Sequence, residues 1–147
     1  MASIKTVSVV GVQDASARMD VTAGRHRIVI DQPPSGGGQD EGPSPLEFFQ
    51  AALAGCIGAI ARLAARQQRI PFRGIEVRVE GRIDADGLLG RPGAARVGFE
   101  SFDLTVKLDA DLTPEQKRAF VDEVERRCPV SENIENPTPI RVICDAD

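Results

Sequence analysis

Two cysteines carry the chemistry that this chain is equipped to do. Cys56 lies deep in an apolar stretch, Gly42-Pro43-Ser44-Pro45-Leu46-Glu47-Phe48-Phe49-Gln50-Ala51-Ala52-Leu53-Ala54-Gly55-Cys56. Cys128 lies at a junction, Arg126-Arg127-Cys128-Pro129-Val130-Ser131-Glu132-Asn133. A thiolate is a strong nucleophile, and a sulfenic acid formed on one thiol can be closed to a disulfide by a second. The pair is therefore a candidate redox couple.

The two contexts differ. Pro129 opens a helix, so the Cys128 sulfur is expected near a helix N-terminus, where free N–H groups and the dipole favour an anion. Arg126 and Arg127 add positive charge, and both effects lower a thiol pKa. The plainer alternative is a small buried residue at a helix junction. Cys56 is about three turns into its helix, beyond the reach of the dipole. Burial by itself raises a thiol pKa, so Cys56 needs a cation from elsewhere. Arg18, Arg25 and Arg27 on the early strands are the candidates.

Glu47 precedes Cys56 by nine residues, which is about 180° around a helix and ~13 Å along it. It cannot touch the Cys56 of its own helix, so any cooperation requires the Glu47 of a second subunit. Locally it reads as a cap, three residues after Ser44. Cys144 has only Arg141 as a cationic neighbour and reads as structural. His26 is the single histidine, so no Cys/His metal site is expected and no metal or organic cofactor is called for. Gly36-Gly37-Gly38 lacks the Lys and Ser/Thr of a phosphate loop.

The elements that position these residues follow from patterning. Residues 4–12, 15–23 and 25–31 read as strands with turns at Asp14-Ala15 and Gly24. Residues 32–44 are a loop rich in Gly and Pro. A helix is expected from Pro45 to Gln68, with Ser44 as N-cap and an apolar stripe of Leu46, Phe49, Leu53, Cys56, Ile60 and Leu63. No charge falls between Glu47 and Arg62, which predicts a helix buried nearly all round. Residues 75–83 and 99–108 alternate as a hairpin, with a Gly-rich turn over 84–93 between them. Thr113-Pro114 starts a helix through Arg127, Pro129 opens another, and Ile140 to Cys144 forms a last strand. The order βββ-α-ββ-αα-β indicates an α+β fold with mainly antiparallel sheets.

Composition sets the frame. The chain has 147 residues, 41% hydrophobic and 27% charged, with a formal net charge of −4. That fits one domain, 1–147, able to bury a core without disulfide staples. No Lys/Arg cluster exceeds a pair, so a nucleic-acid partner is not expected. The first residues alternate and lack a signal-peptide pattern. The apolar run 51–61 is shorter than the ~20 residues that span a bilayer, so no membrane partner is expected either. A cytoplasmic protein is expected, in which any disulfide is chemical rather than structural.

At these residues the sequence resembles the OsmC-like family, which includes the organic hydroperoxide resistance proteins. Gly42-Pro43-Ser44-Pro45-Leu46-Glu47 through Gly55-Cys56 resembles the first-cysteine helix, Cys128-Pro129-Val130-Ser131 the second-cysteine motif, and Asp31-Gln32-Pro33 with its glycines the preceding loop. The resemblance implies an OsmC-like fold, with antiparallel sheets around a long buried central helix, in an intertwined homodimer with sites at the interface. It implies a peroxidatic thiol at Cys56 and a resolving thiol at Cys128. It also implies an activating Arg, at Arg18 or Arg25, together with an acid. The hydroperoxide-resistance branch has that acid one residue earlier, where this chain has Leu46, and Glu47 resembles the broader group. The implied partners are a second copy, an organic hydroperoxide and an external dithiol. A different class of function is a non-catalytic module that holds a small apolar ligand or senses redox state.

Overall fold

Alternation in the first segment produces a small antiparallel meander. In the computed structural model, which describes residues 1–146, β1 (Val10–Gln13), β2 (Met19–Ala23) and β3 (His26–Ile30) pair in the order β1-β2-β3. Val21 faces Gly11 on one side and Ile28 on the other. Gly24 makes the β2–β3 turn at φ +59°, a left-handed conformation that a side chain resists. The first strand is shorter than the alternation from residue 4 suggests, because residues 1–9 find no pairing partner. The second begins at Met19, since residues 15–18 bend around an Asp14–Ser16 turn, with the Ser16 N–H donating to Asp14 at 2.7 Å.

The chain divides into two units, residues 1–49 and 50–147, and α1 (Pro45–Gln67) begins in the first and runs into the second. The second unit is built on a long hairpin. β4 (Phe72–Ile83) and β5 (Phe99–Ala110) are antiparallel, with Val77 opposite Val106 and Val79 opposite Leu104. β4 starts at Phe72 rather than at residue 75, with a register irregularity between Phe72 and Gly74. The expected turn contains a short helix, α2 (Ala85–Leu88), capped by Asp84.

Strict alternation puts Ile75, Val77, Val79, Leu104, Val106 and Leu108 on one face of the hairpin, against the core. That core is completed by Leu53, Ile57, Ala61, Ala64 and Ala65 of α1, by Phe120 and Val124 of α3 (Pro114–Arg126), and by Cys128. Each fully buried Leu or Ile stabilises by about 1.5–3 kcal/mol. α3 opens on the capping box Thr113/Gln116 and is followed by α4 (Pro129–Glu135).

Two expectations are corrected. The helix is not buried all round: Ala51, Ala52, Gly55 and Ala59 are exposed, and Leu46 and Phe49 are 37% and 44% exposed. The buried seam runs through Leu53, Ile57, Ala61 and Ala64/Ala65, with Cys56 and Ile60 packed at its margin. The last strand is the second correction. Residues 140–146 carry no regular structure, and Ile140, Val142 and Ile143 are 87%, 85% and 74% exposed. Their alternation is of strand type, but they pair with no strand of the chain among the described residues. By length and composition alone α1 would also suffice to cross a membrane, yet its Leu53–Ala65 seam is packed into the core described above.

Candidate functional site

The helix that carries Cys56 is started by its own sequence. The Glu47 carboxylate accepts from the Ser44 N–H at 2.7 Å and from the Ser44 hydroxyl at 2.8 Å, while the Glu47 N–H donates to Ser44 Oγ at 3.3 Å. These bonds hold the Glu47 carboxyl below the usual carboxylate range. Within one chain, then, Glu47 is engaged as a cap.

In the same unit, Arg18 is held by carboxylates other than Glu47. Its guanidinium reaches Glu41 at 2.5 Å and Asp20 at 2.8 Å, which raises its pKa above the ordinary arginine value, Asp20 contributing most. Glu41 is placed by the loop after β3. Asp31 is buried at 2% exposure, and its carboxylate accepts from the N–H groups of Gln32 at 2.8 Å, Gln39 at 3.1 Å and Glu41 at 3.1 Å. Three donors on one carboxylate depress its pKa, the Glu41 bond most strongly. Gly42 is required here by close approach: a Cβ would sit 2.3 Å from the Val29 carbonyl oxygen. Arg25, like Arg27, is exposed on the meander.

In the second unit Cys56 and Cys128 come together. Both are free thiols; Cys56 is partly exposed and Cys128 fully buried. Cys56 packs against the core that contains Cys128, close enough to raise the Cys128 pKa. Cys128 is the N-cap of α4, and its sulfur accepts from the Ser131 N–H at 3.4 Å. The expected lowering of its pKa is overturned. Burial pushes the Cys128 thiol up, the Cys56 neighbour adds to that, and the two N–H groups of Val130 and Ser131 only partly offset it. Desolvation outweighs the short helix because a thiolate in this apolar setting loses water on every side. Arg127 is engaged elsewhere, by Glu123 at 3.0 Å and by Gln67 at 2.8 Å.

Sequence reasoning missed Glu41 and Ser131. Glu41 sits in an aperiodic loop and no local signal marks it. Ser131 was visible as the third residue after a candidate N-cap, a spacing that puts its N–H on the cap side chain. A cleft of about 380 Å³ in this unit is lined by Ile57, Leu104, Val106 and Val121 on one hand and by the charged Asp122, Glu125 and Arg126 on the other. Cys144 is exposed near the end of the chain. Among the described residues no group of three or more His, Cys, Asp or Glu is placed to hold a metal ion.

Comparison with known proteins agrees with this architecture. The family model described as OsmC-like protein matches residues 37–143. Among curated proteins no sequence matches. Among solved structures, the OsmC-like protein from Mycoplasma pneumoniae superposes with a TM-score of 0.78 at 21% identity, covering 90% of this chain and 89% of that one. An OsmC-like protein of unknown function from Vibrio cholerae gives a TM-score of 0.74 at 14% identity, with 90% and 96% covered. The organic hydroperoxide resistance protein of Bacillus subtilis gives 0.59 at 21% identity, with 92% and 94% covered. At these identities the likeness is one of fold.

Proposed function

The chain belongs to the OsmC-like family, and from that premise we propose that it is a thiol-dependent peroxidase that reduces organic hydroperoxides. Cys56 attacks the terminal peroxide oxygen, releases an alcohol and becomes a sulfenic acid. Cys128 condenses with it to a disulfide and releases water, and an external dithiol restores both thiols. The observation that carries this reading is the pairing itself: two free thiols distant in sequence are neighbours in the fold, one partly exposed and one buried. The exposed partner suits the role of the group that meets substrate. A burial-raised pKa suits a partner that stays protonated until it is needed. In this reading an arginine of the meander, Arg18 or Arg25, is the cation for the Cys56 thiolate, and Glu47, supplied by the second copy, orients it, as the family resemblance implies.

The working form in this reading is a homodimer, with residues 1–147 of each copy forming one OsmC-like domain. The exposed Ala51, Ala52, Gly55 and Ala59 face of α1 supports that reading, as do the unpaired apolar ends at Ile4, Val7 and Val9 and at Ile140, Val142 and Ile143. A second copy is the occupant that would give such segments sheet edges and apolar cover. A cytoplasmic location fits a disulfide that is made and reduced in each cycle.

The deciding experiment is consumption of an organic hydroperoxide with a dithiol reductant, for the wild type and Cys56→Ser. Turnover is expected for the wild type and a loss to background for the variant. Turnover that is absent in both, or equal in both, refutes the reading and leaves a ligand-binding or redox-sensing module. A sedimentation-equilibrium mass near 15.8 kDa, that of one chain, refutes the dimer.

A further inference from the structure

The Cys-Pro-Val-Ser segment contains a serine that the disulfide chemistry does not use. Ser131 is buried, at 8% exposure. Its N–H donates to the Cys128 sulfur at 3.4 Å, and its hydroxyl donates to the Glu125 carboxylate on the last turn of α3. The Cys128 N–H donates to the Glu125 carbonyl at 3.0 Å. Glu125 thus grips the segment twice, once through its backbone beside Cys128 and once through its side chain at Ser131. Both ends of the turn that aims the sulfur are tied to one residue.

We propose that Ser131 is a positioning residue for closure of the Cys56–Cys128 disulfide, an inference that rests on the peroxidase reading. In that step the Cys128 sulfur attacks the sulfenic sulfur of Cys56. The S–S bond forms and the S–O bond breaks. The departing hydroxide takes the Cys128 proton and leaves as water. The Cys56 sulfur is reduced and the Cys128 sulfur oxidised, each by one unit. Attack must run along the S–O bond, and a fully buried side chain has little freedom to search for that line. The Ser131 N–H fixes the direction of the sulfur and stabilises the charge that develops as the proton departs. The hydroxyl bond to Glu125 fixes that N–H in turn.

The test separates the two chemical steps in single turnover with an organic hydroperoxide. Sulfenic acid on Cys56 is read by trapping, and disulfide closure by loss of free thiol. In Ser131→Ala, closure is expected to slow about tenfold, as for loss of one charge-assisted hydrogen bond, with sulfenic acid formation unchanged. Ser131→Thr restores closure. Glu125→Ala reproduces the defect, and the double variant is no slower than either single one, because both remove the same tie. Closure in Ser131→Ala within twofold of wild type overturns the proposal. So does an equal loss in both steps, which marks a purely structural role. Should the wild type consume no organic hydroperoxide, the peroxidase reading fails instead. The same variants are then scored on closure driven by diamide, where equal rates for wild type and Ser131→Ala overturn the positioning role.

Discussion

The Arg18 guanidinium is clamped to the Glu41 carboxylate at 2.5 Å, across 23 positions of chain. This bond ties the meander to the loop that leads into the cysteine helix. Within one chain Glu41 takes the arginine, and Glu47 takes the helix end. If Arg18 serves the Cys56 thiolate, Arg18→Ala lowers hydroperoxide turnover by about 100-fold, the scale of losing one electrostatic stabiliser. Glu47→Gln keeps an oxygen acceptor for Ser44 and gives a smaller loss in the same direction. Glu41→Gln changes turnover least. Steady-state rates for the three variants check the ranking.

The buried Cys128 thiol makes stability depend on pH on the alkaline side. Its pKa is raised in the folded chain above the ordinary thiol value of 9.0. The folded state therefore holds that proton more tightly than the unfolded one. The associated stability is fully present below the unfolded pKa and is lost as pH rises through the folded pKa. Urea midpoints are expected to fall above about pH 9 in the wild type. Cys128→Ala flattens that slope while costing about 1 kcal/mol at neutral pH through loss of the α4 cap. An unchanged alkaline slope in the variant would rule out Cys128 as its source.

Asp31 produces the opposite dependence. Its carboxyl is depressed by the backbone donors of Glu41, Gln32 and Gln39, so its contribution is present above the unfolded pKa and is lost as pH falls through the folded value. The protection of the Gln39 and Glu41 amides against hydrogen exchange, relative to the intrinsic rate at each pH, is expected to fall on acidification. Asp31→Ala speeds exchange at both amides at neutral pH and weakens the Arg18–Glu41 bond that the loop presents. Unaltered exchange in Asp31→Ala would show that the loop holds itself.

Ile57 tests the assignment of the buried seam. It is 2% exposed and faces the hairpin, so Ile57→Ala should cost about 2–4 kcal/mol in chemical denaturation. Ala59 lies on the open side of the same helix, and Ala59→Leu should leave monomer stability near wild type while altering the sedimentation mass. A large stability loss at 59, or a small one at 57, reverses the two faces.

Much of this molecule follows from short-range rules. The Ser44–Glu47 and Thr113–Gln116 caps, the Gly24 turn, the alternation of each strand of the β4–β5 hairpin and each cysteine motif taken singly are written within a few residues. The α+β class with antiparallel sheets rests on those local signals and stands in the structure. Three features depend on burial and on partners distant in sequence, and tertiary structure alone decides them. Which face of α1 is buried depends on where the hairpin and α3 lie: Leu53, Ile57, Ala61, Ala64 and Ala65 are covered, while Leu46 and Phe49 of the expected stripe stay exposed. Whether residues 140–144 form a strand depends on being brought to a sheet edge, and within one chain they lie against none. Whether Cys128 is the easier anion depends on how much water the fold removes, and full burial reverses the sign that its neighbours in sequence suggested.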